Sequence, residues 1–416
     1  MRIAVVGAGI SGLTAAWYLS KQHDVTVFEA NDYIGGHTDT HEINVLGKSW
    51  AVDTGFIVFN EHNYPNFSAL LKQLDVDSVA TEMSFSVTNS DSGLEYNATN
   101  LNKLFCQRRN LFNPRFYQML SDLVRFYRQA PALLTEQDNQ ETLEQYLKKH
   151  HYSDIFINDH LLPMACALWS GPSASLMTMP ARFLVAFMAN HKMLSIAGRP
   201  QWRVVKGGSR RYVEKLLEKL PANVLTSSPV QYINRVYNGV SLRVAGEQLA
   251  FDAVVLACHS HQALGMLSEP SQAELEVLGG IAYQDNHMQL HADETVLPVD
   301  HKAWASWNVH VGKALSQHCT VSYHMNTLQG LNAPVEFIVS LNSAERVDPD
   351  KVFLERHYSH PVFNEKTIQS QQRWGEISGQ QHTYFCGAYW GWGFHEDGVT
   401  SALNVVEQVA ERASHA

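Results

Sequence analysis

A β-rich run, Arg2-Ile-Ala-Val-Val6, enters Gly7-Ala8-Gly9-Ile10-Ser11-Gly12, and a small-residue helix leaves it through Thr14-Ala-Ala16. A second run, Val25-Thr-Val-Phe28, ends on Glu29 and Ala30. These features predict an α/β fold that opens with a Rossmann-like, dinucleotide-binding domain. Gly7 permits the tight turn, Gly9 lets the backbone approach a pyrophosphate, and Gly12 lets the helix pack closely on the strand. The helix N-terminus offers N–H groups without intrahelical partners, and the positive end of its dipole, to the phosphates. Glu29 is placed to accept hydrogen bonds from ribose hydroxyls.

The following elements read in order. Trp50–Asp53 is a strand, and Asn60 to Pro65 is a polar break. Phe67–Leu74 is a helix by its apolar spacing, and Met83 to Tyr96 alternates as strands do around the turn Asp91-Ser-Gly93. Residues 100–198 turn helical, with an apolar stripe at Phe116, Met119, Leu120, Leu123, Val124 and Tyr127, then Leu143, Tyr146 and Leu147, and an apolar helix Ala181–Met188. Their plain reading is core; a helical subdomain there also suits a substrate wall. Gln201–Lys206 is a strand, and Gly207-Gly-Ser209 opens a helix Arg210–Leu220. Val224–Ser227, Val230–Val236 and Val240–Ala245 are strands, the last two joined by the turn Asn238-Gly239. Phe251–Ala257 reads as one buried strand by its apolar run. Residues 280–345 are strand-rich. Thr383–Gly387 is a strand, Ala388–Gly398 a loop, and Val399–Arg412 the last helix.

At 416 residues the chain exceeds one ordinary core. The nucleotide-fold pieces, 1–64, 200–270 and 375–416, are predicted to form one domain. A discontinuous α+β substrate domain is built from 65–199 and 271–374. The net charge of −10 argues against nucleic acid or an anionic membrane as an electrostatic partner. Five scattered cysteines without CxxC spacing fit a reducing compartment and argue against a disulfide framework or a zinc site. His287 and His291 lie four apart in a strand-like stretch, which supplies no closed ligand set, so no metal is expected. No run of 18 apolar residues suggests a membrane span. The expected address is the cytoplasm, with no more than a transient contact at a membrane surface.

Six residues beyond Glu29, Gly35-Gly36 precede His37 and Thr38. Paired glycines that bring the backbone back along the cofactor suit FAD, the longer dinucleotide. Gly7-x-Gly9-x-x-Gly12, Glu29, Gly35-Gly36 and Val52-Asp53-x-Gly55 resemble the flavin-containing amine oxidase superfamily, which includes protoporphyrinogen oxidase and phytoene-desaturase-like enzymes. Lys206-Gly-Gly208, Pro229-Val230 and Phe385-Cys-Gly387 extend the resemblance along the whole chain. Val52–Asn60, Arg199–Arg203, Trp304–Asn308 and Gly387–Gly398 resemble a bacterial group of predicted NAD/FAD-binding oxidoreductases. Members of that group are often encoded beside cyclopropane-fatty-acid-synthase-like methyltransferases. The resemblance implies a glutathione-reductase-type FAD domain with Thr54, Gly55, Phe56, Val230, Gly387, Asp397, Gly398 and Val399 joining the first loop at the cofactor. Two departures stand out. Ala388 occupies a position where the superfamily commonly has an acid. Its Gly-aromatic-x-acid-Gly string is one residue longer here, so either Phe394 or His395 takes the aromatic-cage position.

The simplest chemistry is hydride transfer from a substrate C–H to flavin, for which the protein supplies position and excludes water. No second GxGxxG follows a strand, so oxygen or an external carrier is the expected acceptor. His395 and Glu396, read as loop residues, are the candidate catalytic pair, with His395 a base of near-neutral pKa or a structural histidine. The leading reading is an FAD-dependent oxidoreductase that desaturates, oxidises or isomerises a hydrophobic, acyl-chain-like small molecule. Alternatives are an amine oxidase releasing aldehyde and hydrogen peroxide, and a non-catalytic flavin-binding partner of a lipid-modifying enzyme.

Overall fold

The computed structural model describes residues 1–135, 141–169, 173–195, 198–312 and 320–415. Five parallel strands form its first sheet: β1 (Arg2–Val6), β2 (Asp24–Phe28), β3 (Asn223–Leu225), β4 (Ala253–Leu256) and β5 (Thr383–Phe385). Their spatial order is β3-β2-β1-β4-β5. One sheet thus draws strands from three distant stretches. Ile3 lies beside Val25 on one side and Ala253 on the other.

Alternation along β1 sends Ile3 and Val5 to one face and Ala4 and Val6 to the other, and all four are buried. That explains the continuous apolar run. The Ile3 face packs under α1 (Ile10–Leu19), α2 (Pro65–Leu74), α4 (Arg210–Lys219) and α5 (His395–His415). Helix α3 (Pro114–Gln129) lies in the other layer system. The Ala4 face meets the antiparallel meander Val230–Val236, Gly239–Val244 and Glu247–Phe251.

A seven-stranded sheet forms the second layer system. Its spatial order is Val352–Pro361, Tyr283–His291, Ile338–Leu341, Thr320–His324, Trp307–Val311, Phe85–Asn89 and Leu94–Asn97. Only Trp307–Val311 and Phe85–Asn89 pair in parallel. Helices from the region 114–190 gather over it around Phe116, Phe126, Phe156 and Phe187.

Three expectations need correction. Phe251–Ala257 is two strands, because the chain changes sheets at Asp252, whose carboxylate accepts from the Arg2 amide while its own amide donates to the Arg2 carbonyl at 2.8 Å. The last helix starts at His395 rather than Val399. Gly393, at φ 89°, turns the chain, the Asp397 carboxylate accepts from the Phe394 amide at 2.8 Å, and two acids in the first turn complement the helix dipole. Cys106, Cys258 and Cys386 are free, but Cys166 is disulfide-bonded, which departs from the reading of the cysteines.

Candidate active site

The first loop is closed on one side and open on the other. A Cβ on Gly12 would lie 1.9 Å from the Gly7 carbonyl oxygen, so no side chain fits. A Cβ on Gly9 would meet nothing nearer than the Gly36 Cα at 4.0 Å. Between these glycines, α1 begins at Ile10 and Ser11 with no side-chain cap and no acid in its first turn. Within α1 itself no acid and no side-chain cap answers these donors and the dipole. Glu29 is buried, and its carboxylate accepts from the Ala8 amide at 2.8 Å and the Asn31 amide at 2.9 Å, while Ala30 is exposed.

Of the other expected cofactor residues, Gly35, Gly36 and Gly398 touch this loop, and the rest lie around it. Gly35 donates to the Ala8 carbonyl at 2.9 Å, and Gly36 lies against Gly9. Thr54 donates its amide to the Asp39 carbonyl at 2.9 Å, and Phe56 donates to the His37 carbonyl at 2.7 Å. A Cβ on Gly55 would lie 2.1 Å from that carbonyl oxygen, so this strand end fits flush against His37. Gly398 lets α5 sit on α1, since a Cβ there would stand 2.8 Å from Ser11 Oγ. Val399 is buried behind it, Gly387 donates to Ser401 Oγ at 3.1 Å, and Val230 opens the meander on the opposite sheet face.

Sequence reasoning missed a nest of rings around His37. Its ring centroid lies 5.0 Å from Tyr358, 5.6 Å from His360 and 6.0 Å from His259, and His259 stacks on Tyr283 at 4.7 Å. His37 Nε2 and the Tyr389 hydroxyl are buried without a hydrogen-bond partner among the described residues. Burial, then the neighbouring imidazoles, pulls His259 and His360 down to about 3. Burial also lowers His37, against the opposing pull of Asp39. The nest is thus uncharged at neutral pH. Tyr358-x-His360 on one strand face was the available signal, but only the fold brings it to His37.

His360 also borders a narrow cavity of about 20 Å³, lined further by Trp169, Leu176, Met179, Gln284, Pro361, Val362 and Phe363. That volume holds roughly one water. No lining residue is acidic. An aromatic wall backs it: Trp169 packs on Phe187 at 4.9 Å, Phe183 on Phe363 at 5.2 Å, and Phe394 on Phe187 at 5.1 Å. Trp169 Nε1 donates to the Trp392 carbonyl at 3.2 Å and ties this wall to the loop before α5.

The two candidate catalytic residues face elsewhere. His395 is buried and stacked on Phe56 with centroids 3.6 Å apart; its Nε2 lies 3.0 Å from the Tyr212 hydroxyl and 3.1 Å from Thr38 Oγ1. Thr38 and Tyr212 also bond to each other. Burial, then His37, pulls His395 well below the ordinary histidine range, so the expected near-neutral pKa is corrected. Glu396 spends both carboxylate oxygens on the start of α2, accepting from the Asn66 amide at 3.0 Å and the Phe67 amide at 2.9 Å. Burial raises its pKa, and burial pushes Asp397 up to about 7. It is Phe394, not His395, that turns to the aromatic wall. Asp53 ties this frame together: it accepts from Thr40 Oγ1 at 2.6 Å and the Ser209 amide at 2.8 Å, and so seats the start of α4. Among the described residues no group of three or more His, Cys, Asp or Glu side chains could hold a metal ion.

The open glycine cradle, the uncapped α1 N-terminus and the partnerless His37 Nε2 all fit a bound dinucleotide. Joined to a second sheet with an aromatic pocket, they give the frame of a dinucleotide-binding fold. The chain belongs to the flavin containing amine oxidoreductase family, which matches residues 10–286, and FAD is its cofactor. It is 24% identical over 349 residues to an L-amino-acid oxidase of Siganus canaliculatus, an alignment covering 76% of this chain and 60% of that protein. The chain therefore spans about 60% of the length of that relative. Cyclohexylamine oxidase from Brevibacterium oxydans shares the fold with a TM-score of 0.72 at 14% identity, over 99% of both chains. A CLA-producing fatty acid isomerase from P. acnes does so at 0.69 and 16% identity, over 98% of both. No helix among the described residues is long and apolar enough to cross a membrane.

Proposed function

We propose that this protein oxidises, desaturates or isomerises an apolar, acyl-chain-like substrate at the junction of the His37 nest and the aromatic wall. The observation that carries this reading is the pocket lining. Eight residues border it, mostly aromatic and aliphatic, with Gln284 and His360 the polar positions and no carboxylate to pair with an ammonium group. Such a wall lowers the cost of burying hydrocarbon and leaves a buried cation uncompensated. The shared fold does not decide the substrate, since one similar structure is described as acting on an amine and another on a fatty acid.

Bound FAD would supply the acceptor for a hydride, and its two electrons, from a substrate C–H. The chain's own residues do the rest. The α1 N-terminus and Gly9 would hold the pyrophosphate, and Glu29 the ribose end. His360 accepts from Asn286 Nδ2 through its Nδ1 at 3.0 Å, which leaves its Nε2–H as a neutral donor for a polar substrate group. Trp169, Phe363 and Phe394 exclude water. Because the cavity is narrow, substrate enters by displacing these side chains.

Anaerobic incubation of the FAD-loaded protein with a lipid extract tests the reading. Bleaching of the flavin band near about 450 nm, with a lipid changed in unsaturation, is the expected outcome. Bleaching by small primary amines, with peroxide formed in air and no response to lipid, would replace it with the amine-oxidase reading that the L-amino-acid oxidase similarity favours. Unreduced flavin with a relocated lipid double bond is the isomerase form of the reading, since isomerisation returns the hydride; unreduced flavin with no lipid or amine changed would point to a binding partner without turnover.

A further inference from the structure

Residues 101–128 run against the charge of the rest of the chain. Six cations, Lys103, Arg108, Arg109, Arg115, Arg125 and Arg128, stand there against one carboxylate, Asp122, in a chain of formal net charge −10. Arg125 is committed to Asp122 at 2.8 Å, and Lys103 approaches Glu82 at 3.4 Å. Among the described residues, Arg108, Arg109, Arg115 and Arg128 have no carboxylate within 4.0 Å.

The same stretch exposes apolar side chains. Leu101 is 75% exposed, Phe112 88%, Tyr117 46% and Leu111 41%, four of the thirteen exposed large hydrophobics among the described residues. They share one surface. Arg108 Nη1 donates to the Phe105 carbonyl at 3.0 Å and Nη2 to Asn102 Oδ1 at 2.5 Å; the Tyr117 hydroxyl donates to the Leu111 carbonyl at 3.1 Å. The rings of Phe105 and Tyr117 lie 6.0 Å apart. From Tyr117 a groove of about 630 Å³ follows the outer side of α3, with Leu120 and Val124 in its lining and Arg125 and Arg128 beside them.

Exposed aromatic and leucine tips amid guanidinium groups with no carboxylate partner among the described residues match the two requirements of an anionic lipid interface: apolar burial at the acyl boundary and phosphate pairing at the headgroups. We propose that this face seats the protein on an anionic phospholipid surface. Phe112 and Leu101 enter the acyl boundary, while Arg108, Arg109 and Arg115 meet the headgroup phosphates. The overall negative charge does not oppose this at close range, because distant charges are screened beyond a Debye length of about 8 Å. The opposite face of α3 buries Phe116, Met119 and Phe126 in the same core that holds Trp169 and Phe187, so the docked element is the outer wall of the pocket's own cluster. The proposal stands apart from the substrate reading, since an enzyme with a water-borne substrate can still dock.

The test is co-sedimentation of the FAD-loaded protein with phosphatidylcholine vesicles, with and without about 30% phosphatidylglycerol. Binding to the anionic vesicles alone, weakened at about 0.5 M salt, is expected. The double variant R108E/R109E should lose about tenfold or more in binding, as expected from removing two basic side chains near an anionic surface. Phe112→Ser should reduce binding with the flavin content unchanged. Tyr237→Ser, at a side chain 96% exposed on the meander turn, should bind as the wild type does. No sedimentation of the wild type, undiminished binding of the patch variants, or patch variants that only convert a dimer to a monomer would overturn the proposal; the last would assign the face to a second copy of the chain.

Discussion

The proposed pyrophosphate cradle and the proposed reaction pocket lie in one molecule but are specified in opposite ways. The cradle is made by backbone: a glycine whose missing Cβ leaves room, a helix end, and a single carboxylate within thirty residues of the start. The pocket is made by side chains from strands and helices hundreds of residues apart, and its properties come from what surrounds each ring. A site of the first kind can be damaged by one methyl group. A site of the second kind is retuned through burial.

The sharpest way to break this contrast is at two glycines of the same loop. Gly12→Ala sets a methyl group 1.9 Å from the Gly7 carbonyl oxygen and must move backbone. A loss of about 3 kcal/mol or more, and protein recovered without flavin, is expected. Gly9→Ala, with 4.0 Å of clearance, should keep the apoprotein's unfolding midpoint and weaken FAD affinity by about tenfold or more, because its methyl group occupies only the ligand's space. Flavin absorbance and denaturant unfolding of both variants check this; equal effects would show that the cradle is not the cofactor's.

That loop was readable because its consequences are local: turn, approach and helix end all follow within twelve residues. The parallel sheet was readable for a related reason, since strands buried on both faces stand out as apolar runs. What could not be read was register. Asp252 interrupts an apolar run with a carboxylate that bonds to Arg2, 250 positions away, and nothing near 252 announces it. The ring nest is the same case. His37, His259, Tyr283, Tyr358 and His360 are each ordinary in sequence, and only the strand pairing of Tyr283 with Pro361 brings the distant pieces to the paired glycines.

The second test concerns that nest. His259 and His360 have folded pKa values of about 3 against 6.5 when exposed. Between those values the unfolded chain binds protons that the folded chain refuses. Their contribution is therefore intact above about pH 6.5 and is lost as pH falls toward 3. A drop on the order of 1–2 kcal/mol per imidazole is expected between pH 7 and pH 5. The double variant H259N/H360N should flatten this limb in urea unfolding of the FAD-loaded protein. An unchanged slope would mean that the rings are not desolvated.

His395 separates a structural histidine from a catalytic base. His395→Ala removes a ring stacked on Phe56 and leaves the Tyr212 and Thr38 hydroxyls short of a partner. The expected cost is about 2–3 kcal/mol of stability. The rate of flavin reduction should keep its pH profile, because an imidazole held well below its ordinary pKa does not titrate near neutrality. A lost titration step in the variant would restore it as the base.

Glu396 shows most plainly how the fold reassigns a residue. As an acid next to a histidine in a glycine-rich string it looked like half of a proton-transfer pair, yet both of its oxygens are taken up by amides at the start of α2. A carboxylate there holds two helix donors and complements a dipole, a role worth about 1 kcal/mol. Glu396→Gln keeps the shape and one acceptor, so the unfolding midpoint should fall slightly while the rate of flavin reduction stays within about twofold, since no reacting group is touched. Burial raises this carboxyl's pKa, so the stability it gives up by staying ionised grows as pH rises, and the variant's deficit should narrow at higher pH. A deficit that instead appears in the rate, with the midpoint unmoved, would return Glu396 to the chemistry and show that even a helix-anchoring contact can be broken during turnover.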